Sequence, residues 1–470
     1  MRLASRGRFG MINLRRSVPT IRLAASRGHT RLNAAAPASS DATGTSLDGF
    51  GAEKIVVLKR GKSQFFSRDA LRKGAGSSVV FKGSIDRLID QGGQDAAAVA
   101  KVLIVDHDLK PIAWGFHCAA GETMYRVRVL GQFNGNEERP DLLEELSAEG
   151  MRRFLSDAID RAIDLRSRIL LLPSQDTTCF RLINAEGDGL SGLVVDCMGD
   201  VLVAVSSAAW TERHADLICE LLAAKTGACR VVWKRQANLL RLEGVEVPRE
   251  SNPPDEVRVL EDGMAMVCNL QSQKTGFYCD QRENRRMLKG IARGKTVLDL
   301  CCYNGGFAIA AALGGATRVV GVDSSAPAVA AAARNAQENA VPSSTLRFVE
   351  DDVSKFMARA IDAGDAYDIV VLDPPKLCPN AGLHDKSLRK YERLNANAMQ
   401  LVAAGGALLT CTCSGAITQG GKFETMLHRA AARAGREVRV LSLGGAGPDH
   451  VVASHHKEGR YLTVALCQVL

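Results

Sequence analysis

From about residue 261 to the end of the chain, short apolar runs alternate with stretches of helical character. Strands that alternate with helices pair in parallel, because each helix crosses over a face of the sheet before the next strand begins. The pattern therefore predicts an α/β fold over residues 261–470, with a Rossmann-like, doubly wound and mostly parallel sheet. Ligands of such sheets bind outside the carboxyl ends of the strands, so the residues that follow each apolar run carry most of the functional information.

Acidic residues stand at or near the ends of four successive predicted strands. Asp299 lies in the first strand, and Asp323 ends the second, 24 residues further along the chain. An acid at that distance can bind both ribose hydroxyls of a nucleoside-like cofactor, and Asp351 or Asp352 after the third strand can accept from an adenine amino group. Asp373 follows the fourth strand. One such acid is a weak signal, whereas four strand ends in register predict a binding edge.

The turn after the first predicted strand contains two glycines and reads Tyr303-Asn304-Gly305-Gly306. Glycine at a strand–helix turn lets a ligand approach the backbone closely. The turn matches neither the dinucleotide pattern G-x-G-x-x-G nor a phosphate-binding P-loop, because no Gly-Lys-Ser/Thr follows. A carboxylate-rich, non-basic pocket without a phosphate loop suits the positive sulfonium of S-adenosylmethionine. The sequence therefore predicts S-adenosylmethionine as the cofactor.

The fourth predicted strand ends in a motif that we assign to the substrate, formed by Asp373, Pro374, Pro375 and Lys376. The two prolines stop the strand ladder and prevent a helix from starting, so the carboxylate stays at the sheet edge. Lys376 is a candidate contact to a phosphate or to the target base. Asp373 is the candidate catalytic member of the motif.

Cys413, at the end of the fifth predicted strand, can reach the same substrate as Asp373, because neighbouring parallel strands end at one edge. The C5 carbon of a pyrimidine is a poor nucleophile until a thiolate adds at C6, and an acid held at N3 stabilises that adduct. Cys413 as nucleophile and Asp373 at N3 fit these roles. Cys411 points to the opposite face if the strand continues and is expected to pack in the core. Cys378 remains a rival nucleophile or a resolving thiol.

Two further regions precede this domain: residues 52–132 form a β-rich module, and residues 140–255 form a region of mixed α and β character. The first module carries basic residues interleaved with aromatic ones, among them Lys59, Arg60 and Lys62. Such a surface can contact phosphates and stack bases, although a solvated charged face explains the same run equally well. Residues 140–255 show no catalytic constellation, and we interpret them as a spacer or substrate-shaping domain.

The first 46 residues differ from the rest of the chain in composition. Residues 1–40 hold eight arginines but neither a lysine nor an acid, so these arginines account for the whole net charge of +8. A leader rich in arginine, alanine and serine and free of acids is typical of an organellar transit peptide with its linker. The alternative is a basic RNA-binding arm. The alanine- and serine-rich tail of the leader favours the chloroplast stroma over the mitochondrial matrix.

Thirteen cysteines are scattered along the chain without any C-x-x-C pair, which argues against a zinc ribbon or a thioredoxin-like motif. We therefore expect reduced thiols and no bound metal. No run of about 18 strongly apolar residues occurs, so no membrane span is expected. Whether the chain forms a homodimer is left open.

Four motifs together resemble the large-subunit ribosomal RNA (cytosine-5) methyltransferase I family, and the similarity is strongest after residue 270. They are Gln273–Arg282, Tyr303–Phe307, Asp373–Lys376 and Cys413–Gly415. The resemblance implies a PUA-like RNA-binding domain in 52–132, a central domain in 140–255 and a class I S-adenosylmethionine-dependent methyltransferase domain. It also implies that Gln281 and Arg282 flank the cofactor, that Cys413 is the family's Cys-Ser-Gly cysteine, and that large-subunit ribosomal RNA is the partner.

Two positions depart from the family pattern. The first module lacks the expected His-Pro-Trp-Val run around residues 68–81, which puts its RNA contacts in question, and Leu377 replaces the usual Phe after the Asp-Pro-Pro-Lys motif. The leader, which bacterial members lack, implies an organellar ribosome as substrate. Two alternative functions stay open: methylation of an exocyclic amine of guanine or adenine, and a non-catalytic, RNA-binding ribosome assembly factor.

Overall fold

The computed structural model of the protein describes residues 52–66, 77–91, 99–118, 125–133, 146–248, 255–272, 276–377 and 384–470. The predicted leader, Cys378 and the first three residues of the Gln273–Arg282 motif lie outside these ranges. Residues 47–470 form one unit, to which all elements below belong. None of the helices within the described ranges is long and apolar enough to cross a membrane.

Six strands lie within the predicted N-terminal module. They are β1 (Lys54–Leu58), β2 (Val79–Phe81), β3 (Ile85–Asp90), β4 (Val99–Val105), β5 (Pro111–Cys118) and β6 (Tyr125–Gln132). They form one sheet in the order β2-β6-β5-β4-β1-β3, in which β1 and β4 are parallel and the other neighbours antiparallel. Strands β4 and β5 form an antiparallel hairpin. The PUA-like character of the module stays a prediction.

The central region contains four strands and four helices among its described residues. They are α1 (Ala148–Asp164), β7 (Cys179–Asn184), β8 (Leu193–Met198), β9 (Val201–Ser206), α2 (Ala209–Arg213), α3 (Ala215–Thr226), β10 (Arg230–Arg235) and α4 (Ala237–Leu242). The strands pair in the order β10-β9-β8-β7. Helix α1 begins where the Ser147 hydroxyl accepts from the Gly150 N–H. Its buried face follows helical spacing through Met151, Leu155 and Ile159.

A short hairpin connects the central region to the C-terminal domain. It consists of β11 (Glu256–Glu261) and β12 (Met264–Asn269), which pair in antiparallel fashion. Its first strand ends at residue 261, where the predicted C-terminal domain begins, and its second strand lies within that predicted domain.

The C-terminal domain contains a seven-stranded sheet with helices between its strands. Its elements are α5 (Arg282–Ile291), β13 (Thr296–Leu300), α6 (Gly306–Leu313), β14 (Arg318–Asp323), α7 (Ala326–Glu338), β15 (Leu346–Glu350), α8 (Val353–Asp362), β16 (Tyr367–Leu372), α9 (His384–Gln400), β17 (Val402–Thr412), α10 (Gly415–Gln419), α11 (Phe423–Ala434), β18 (Val438–Gly444) and β19 (Thr463–Val469). The strand order is β15-β14-β13-β16-β17-β19-β18. The first five strands are parallel, and β19 runs antiparallel to both of its neighbours. The predicted doubly wound α/β sheet is confirmed.

The direction in which the chain adds strands reverses within the parallel part of this sheet. From β13 the chain moves outward through β14 to β15, and then returns to place β16 on the other side of β13. The crevice at such a reversal is where doubly wound sheets bind their ligands. Residues Ile369–Leu372 of β16 are buried, as expected for a central parallel strand covered on both faces.

The three regions share their hydrophobic cores. Phe116 of β5 stacks on Trp210 of α2 with ring centroids 5.9 Å apart, so the N-terminal sheet packs on the central region. Val203 of the central sheet lies in the same apolar cluster as Phe277 and Phe307 of the C-terminal domain. Each of these two clusters therefore joins two neighbouring regions of the described chain.

Candidate active site

The predicted strand-end acids converge where the sheet order reverses. Asp299 of β13 lies in register with Gly321 of β14 and with Val371 of β16. Asp373 follows directly on β16, and its backbone N–H donates to the Leu300 carbonyl at 3.3 Å. Asp299 and Asp373 therefore lie on adjacent strands at the carboxyl edge of the sheet.

Asp299 has a buried carboxyl group with one unsatisfied oxygen. Its Oδ2 accepts from the Ala308 N–H at 2.9 Å, whereas its Oδ1 has no hydrogen-bond partner among the described residues. Burial, and to a lesser extent Asp373 and Asp323, raise the pKa of Asp299 to about 8. An orphaned buried oxygen costs free energy unless a ligand supplies a partner. This atom fits a site for a cationic cofactor such as S-adenosylmethionine.

Asp323 holds the turn between β13 and α6. Its Oδ2 accepts from the Tyr303 N–H and its Oδ1 from the Ser325 N–H, both at 2.9 Å. The turn needs this support because Cys301 and Tyr303 have positive φ angles of 65° and 49°. A carboxylate oxygen can accept more than one hydrogen bond, so the clamp is compatible with the predicted ribose contact of Asp323.

The glycines and the asparagine of this turn have structural roles of their own. Gly305 has a φ of 89°, and a Cβ there would lie 3.0 Å from the Phe348 ring. The residue must therefore be glycine for backbone and packing reasons, whatever it binds. Gly306 is buried and opens α6. Asn304 is also buried, and its Nδ2 donates to the Gly276 carbonyl at 3.0 Å, which ties the turn to the segment before α5.

The two acids after β15 have partners outside the predicted cofactor contact. Asp351 forms an ion pair with Arg359 of α8. Asp352 caps the same helix, because its Oδ1 accepts from the Lys355 N–H at 2.9 Å. An aspartate directly before a helix is a recognisable cap signal in the sequence. The adenine contact assigned to these two residues stays a prediction.

Gln281 lies against the predicted catalytic carboxylate. Its Nε2 donates to Asp373 Oδ2 at 3.0 Å, and its side chain is buried. Its Oε1 accepts from the Nδ2 of Asn284, one turn along α5, at 2.6 Å. The sequence pattern had placed Gln281 beside the cofactor and had not singled out Asn284. Nothing in the spacing of these residues along the chain points to Asp373, so the contact emerges only in three dimensions.

The position of Cys413 matches the prediction. It follows β17, which pairs in parallel with β16, so that Leu372 lies opposite Thr410. Cys413 is half-buried, whereas Cys411 is fully buried in the core, as expected from strand alternation. Burial raises the pKa of the Cys411 thiol well above its usual value, which disfavours a thiolate there.

Arg282, which the family resemblance places in the segment beside the cofactor, has an acidic partner in the structure, and its role toward the cofactor stays a prediction. It is buried in an ion pair with Asp449, at 2.8 and 3.2 Å between guanidinium nitrogens and carboxylate oxygens. Asp449 also accepts from the Arg181 N–H of β7 at 2.8 Å. Its backbone carbonyl accepts from the Arg166 guanidinium at 2.6 Å. Asp449, which the sequence did not single out, therefore joins α5 to the central region.

Most of the predicted RNA contacts are exposed to solvent. They are Pro375, Lys376, Lys59, Arg60 and Lys62. Pro374 is buried at the sheet edge. The basic residues of the first module lie on the loop after β1, beside the N-terminal sheet, whereas Asp373 lies at the edge of the C-terminal sheet. The Lys62 ammonium lies 5.9 Å from the centroid of the Phe65 ring. The structure thus separates the predicted contacts into one group beside Asp373 and one on the N-terminal sheet.

A cavity of about 550 Å³ opens between the central sheet and residues 451–461. Its lining includes Lys234, Ser272 and Tyr461 but none of the strand-end acids. The cavity therefore lies beside the candidate active site and does not include its acidic residues. The Ser272 hydroxyl lies 3.2 Å from the hydroxyl of Tyr303, in the turn between β13 and α6. The Tyr461 hydroxyl donates to Asp280 Oδ2 at 2.5 Å.

Comparison with known proteins supports a single family. The family model for S-adenosylmethionine-dependent methyltransferases matches residues 244–441. Ribosomal RNA large subunit methyltransferase I of Aeromonas hydrophila is 37% identical over 302 residues, which cover 63% of this chain and 76% of that protein. The protein of the same name from Shigella dysenteriae is 31% identical over 397 residues, which cover 83% of this chain and 94% of that protein.

Solved structures with low sequence identity share the fold. A putative S-adenosylmethionine-dependent methyltransferase from Streptococcus mutans aligns with a TM-score of 0.68 at 18% identity, over 88% of this chain and 99% of that one. A putative methyltransferase in complex with S-adenosylhomocysteine aligns with a TM-score of 0.68 at 19% identity, with the same coverage.

Proposed function

Because the chain belongs to the ribosomal RNA large subunit methyltransferase I family, we propose that it methylates C5 of a cytosine in large-subunit ribosomal RNA. The chain is an S-adenosylmethionine-dependent methyltransferase. The observation that carries the proposal is the neighbouring position of Asp373 and Cys413 after the paired strands β16 and β17. Methylation of an exocyclic amine requires no thiol nucleophile, so this pair favours a pyrimidine carbon.

The cofactor would lie along the edge formed by β13 and β14. Asp323 and the Tyr303 turn would hold its nucleoside, and the unsatisfied oxygen of Asp299 would face its cationic part. When bound, S-adenosylmethionine supplies an electrophilic methyl group. Asp299, Asp323 and Asp373 supply acidic groups at this edge, which suits a sulfonium, and the nearby Arg285 guanidinium is already paired with Glu261.

The protein residues act on the base. The Cys413 thiolate adds to C6 of the cytosine, so a carbon–sulfur bond forms and electron density moves to C5. Asp373, as an acid at N3, stabilises the charge that develops on the ring. After C5 has gained its methyl group, a base removes the C5 proton, the carbon–sulfur bond breaks and the Cys413 thiolate leaves. The ring is thereby restored with one hydrogen replaced by methyl.

Other thiols near this edge are less suited to the role. Burial, together with Asp373 and Asp323, raises the pKa of Cys301, and burial and Asp299 raise that of Cys302. A raised thiol pKa lowers the thiolate fraction at neutral pH. Cys413 is half-buried, and it is also the cysteine that follows a strand adjacent to Asp373.

The arginine-rich leader supports an organellar ribosome as the source of the RNA, with the chloroplast stroma proposed ahead of the mitochondrial matrix. Bisulfite sequencing of chloroplast, mitochondrial and cytosolic large-subunit RNA, with and without the gene, tests this part. Loss of a 5-methylcytosine from an organellar RNA is expected. Loss from the cytosolic RNA alone would contradict the proposal.

The chemistry is tested with the purified full-length protein and large-subunit RNA. Cys413→Ser should abolish 5-methylcytosine formation, and RNA that carries 5-fluorocytosine should form a covalent adduct with the wild type but not with the variant. The matched control is Cys219→Ser, a half-buried cysteine of α3 in the central region. Unchanged methylation by Cys413→Ser, or mass-spectrometric detection of methyl on an exocyclic amine, would refute the proposed chemistry.

A further inference from the structure

The amide of Gln281 can contact Asp373 in one orientation only. Its Nε2 donates to Asp373 Oδ2 at 3.0 Å, while Asn284 Nδ2 donates to its Oε1 at 2.6 Å. A flipped amide would place Oε1 against the carboxylate and Nε2 against the amino group of Asn284. Both contacts would then join two acceptors or two donors. Asn284 therefore fixes which end of Gln281 faces Asp373.

Asn284 is itself held in place by a segment distant in the sequence. Its Nδ2 also donates to the Gly445 carbonyl at 3.1 Å, just after β18. Asn284 is buried, so an unsatisfied amide there would be costly. The Gln281 side chain also contacts the Cys411 thiol of β17. Gln281 is thus enclosed between α5, β17 and the end of β16.

The turn that carries Gln281 is fixed from both sides. The Gly447 N–H donates to the Asp280 carbonyl at 2.9 Å, and the Tyr461 hydroxyl donates to the Asp280 carboxylate at 2.5 Å. On the other side of Gln281, Arg282 pairs with the buried Asp449. Two neighbours of Gln281 are therefore anchored to residues 447–461, which leaves its side chain little freedom.

We propose that Gln281 and Asn284 are a positioning pair that sets the orientation of the Asp373 carboxylate for the target base. The inference rests on the proposed function only in the role it gives to Asp373. A carboxylate on a strand end followed by two prolines can rotate about its side-chain bonds. The directed amide donor of Gln281 restricts that freedom before the RNA arrives, and such pre-organisation is what positions a catalytic group.

Two variants test the pair without large changes of shape. Gln281→Glu removes the donor and places a second carboxyl against Asp373. Asn284→Asp presents an acceptor to Gln281, which turns the amide so that its oxygen faces Asp373. Each should lower kcat for total methyl incorporation into large-subunit RNA by about 100-fold, the scale of a misplaced catalytic group. The dissociation constant of S-adenosylhomocysteine, from isothermal titration, should stay within about threefold of the wild-type value.

The control is Gln337→Glu, an exposed glutamine on α7, which should match the wild type in both measurements. Thermal unfolding of each variant shows whether it is folded. Weaker S-adenosylhomocysteine binding with unchanged kcat would make Gln281 a cofactor ligand and overturn the proposal. Unchanged kcat in both folded variants would overturn it too. Total methyl incorporation is independent of the methylated atom, so failure to find 5-methylcytosine would reject the proposed function and leave this test intact.

Discussion

Replacement of Asp299 by asparagine should change how the stability of the protein depends on pH. The carboxyl group is fully buried, one oxygen accepts from the Ala308 N–H at 2.9 Å, and the other has no partner among the described residues. Burial raises its pKa in the folded protein to about 8. An asparagine of the same shape keeps an acceptor for Ala308 and cannot ionise.

The sign follows from proton binding in the two states. In the unfolded chain the pKa of an aspartate is about 3.9, so below about pH 4 both states are protonated and the group imposes no penalty. Between about pH 4 and the folded value of about 8, the folded state binds more protons than the unfolded state, and stability falls as pH rises. The slope is about 1.4 kcal/mol per pH unit, so the loss at pH 7 is roughly 4 kcal/mol. Above about pH 8 the penalty is constant.

Asp299→Asn should therefore equal the wild type in stability near pH 4 and exceed it by about 4 kcal/mol at pH 7. The measurement is urea unfolding of the ligand-free, full-length protein at about one-unit pH steps between pH 4 and pH 8. The difference between variant and wild type removes the contribution of every other titrating group. A difference that stays constant from pH 5 to pH 7 would refute the assignment of a protonated, buried Asp299.

The matched control is Asp368→Asn, at the opposite end of the same sheet. Asp368 accepts from the backbone N–H and the hydroxyl of Thr296 at 2.8 and 2.9 Å, and these bonds lower its pKa. A lowered pKa has the opposite sign: the stabilisation is present above about pH 4 and is lost as pH falls below it. The difference for Asp368→Asn should accordingly be flat between about pH 5 and pH 7.

For two further substitutions the structure predicts the sign of the effect, on stability in one case and on cofactor-product affinity in the other. Asp449→Asn removes the buried counter-charge of the Arg282 guanidinium and leaves it the partly exposed Glu283 at 3.5 Å, so it should lower the free energy of unfolding by about 3–5 kcal/mol. A loss below about 1 kcal/mol in urea unfolding would contradict this. Lys234→Met removes a half-buried ammonium that donates to the Leu270 carbonyl at 2.6 Å and the Ser272 carbonyl at 3.3 Å. The Ser272 hydroxyl in turn contacts Tyr303, in the turn between β13 and α6. Loss of two hydrogen bonds of about 1 kcal/mol each, about 2 kcal/mol together, should weaken S-adenosylhomocysteine binding by up to about 30-fold in isothermal titration, and unchanged affinity would show that this anchor does not reach the cofactor.

The parallel strands could be predicted because burial on both faces produces a recognisable sequence pattern, a continuous apolar run. Ile369–Leu372 reads as an uninterrupted apolar run with three β-branched residues, and the prolines after Asp373 end it at a defined residue. The antiparallel strands β18 and β19 were not predicted. Val438–Gly444 is exposed over most of its length, and its alternation of apolar and polar residues changes parity where the register shifts between Val440 and Ser442. An edge strand of this kind is recognised only through its partner.

The residues and contacts of the candidate site likewise fall into those that the sequence indicates and those that it does not. Asp299, Asp323, Asp373 and Cys413 were singled out because each lies at or near the end of a predicted strand, and the ends of parallel strands meet at one edge. Their supporting contacts were not, because the partners are far apart in sequence: Gln281 and Asp373 are separated by 92 positions. A sequence motif shows that residues occur together, and it does not distinguish a cofactor ligand from a residue that orients a catalytic group.

Buried ion pairs explain how a site assembled from such distant segments keeps its geometry. One pair joins the N-terminal sheet to the central region (Arg128–Glu243), one joins α5 to the connecting hairpin (Arg285–Glu261), and one joins α5 to the segment after β18 (Arg282–Asp449). Desolvation offsets most of the attraction within such pairs, so they add little net stability. Their hydrogen-bond geometry is nevertheless directional, whereas apolar surfaces can slide. The last pair adjoins Gln281. On this reasoning its main effect is on the placement of Asp373. The central region would support that placement through the Arg181 N–H, which donates to Asp449.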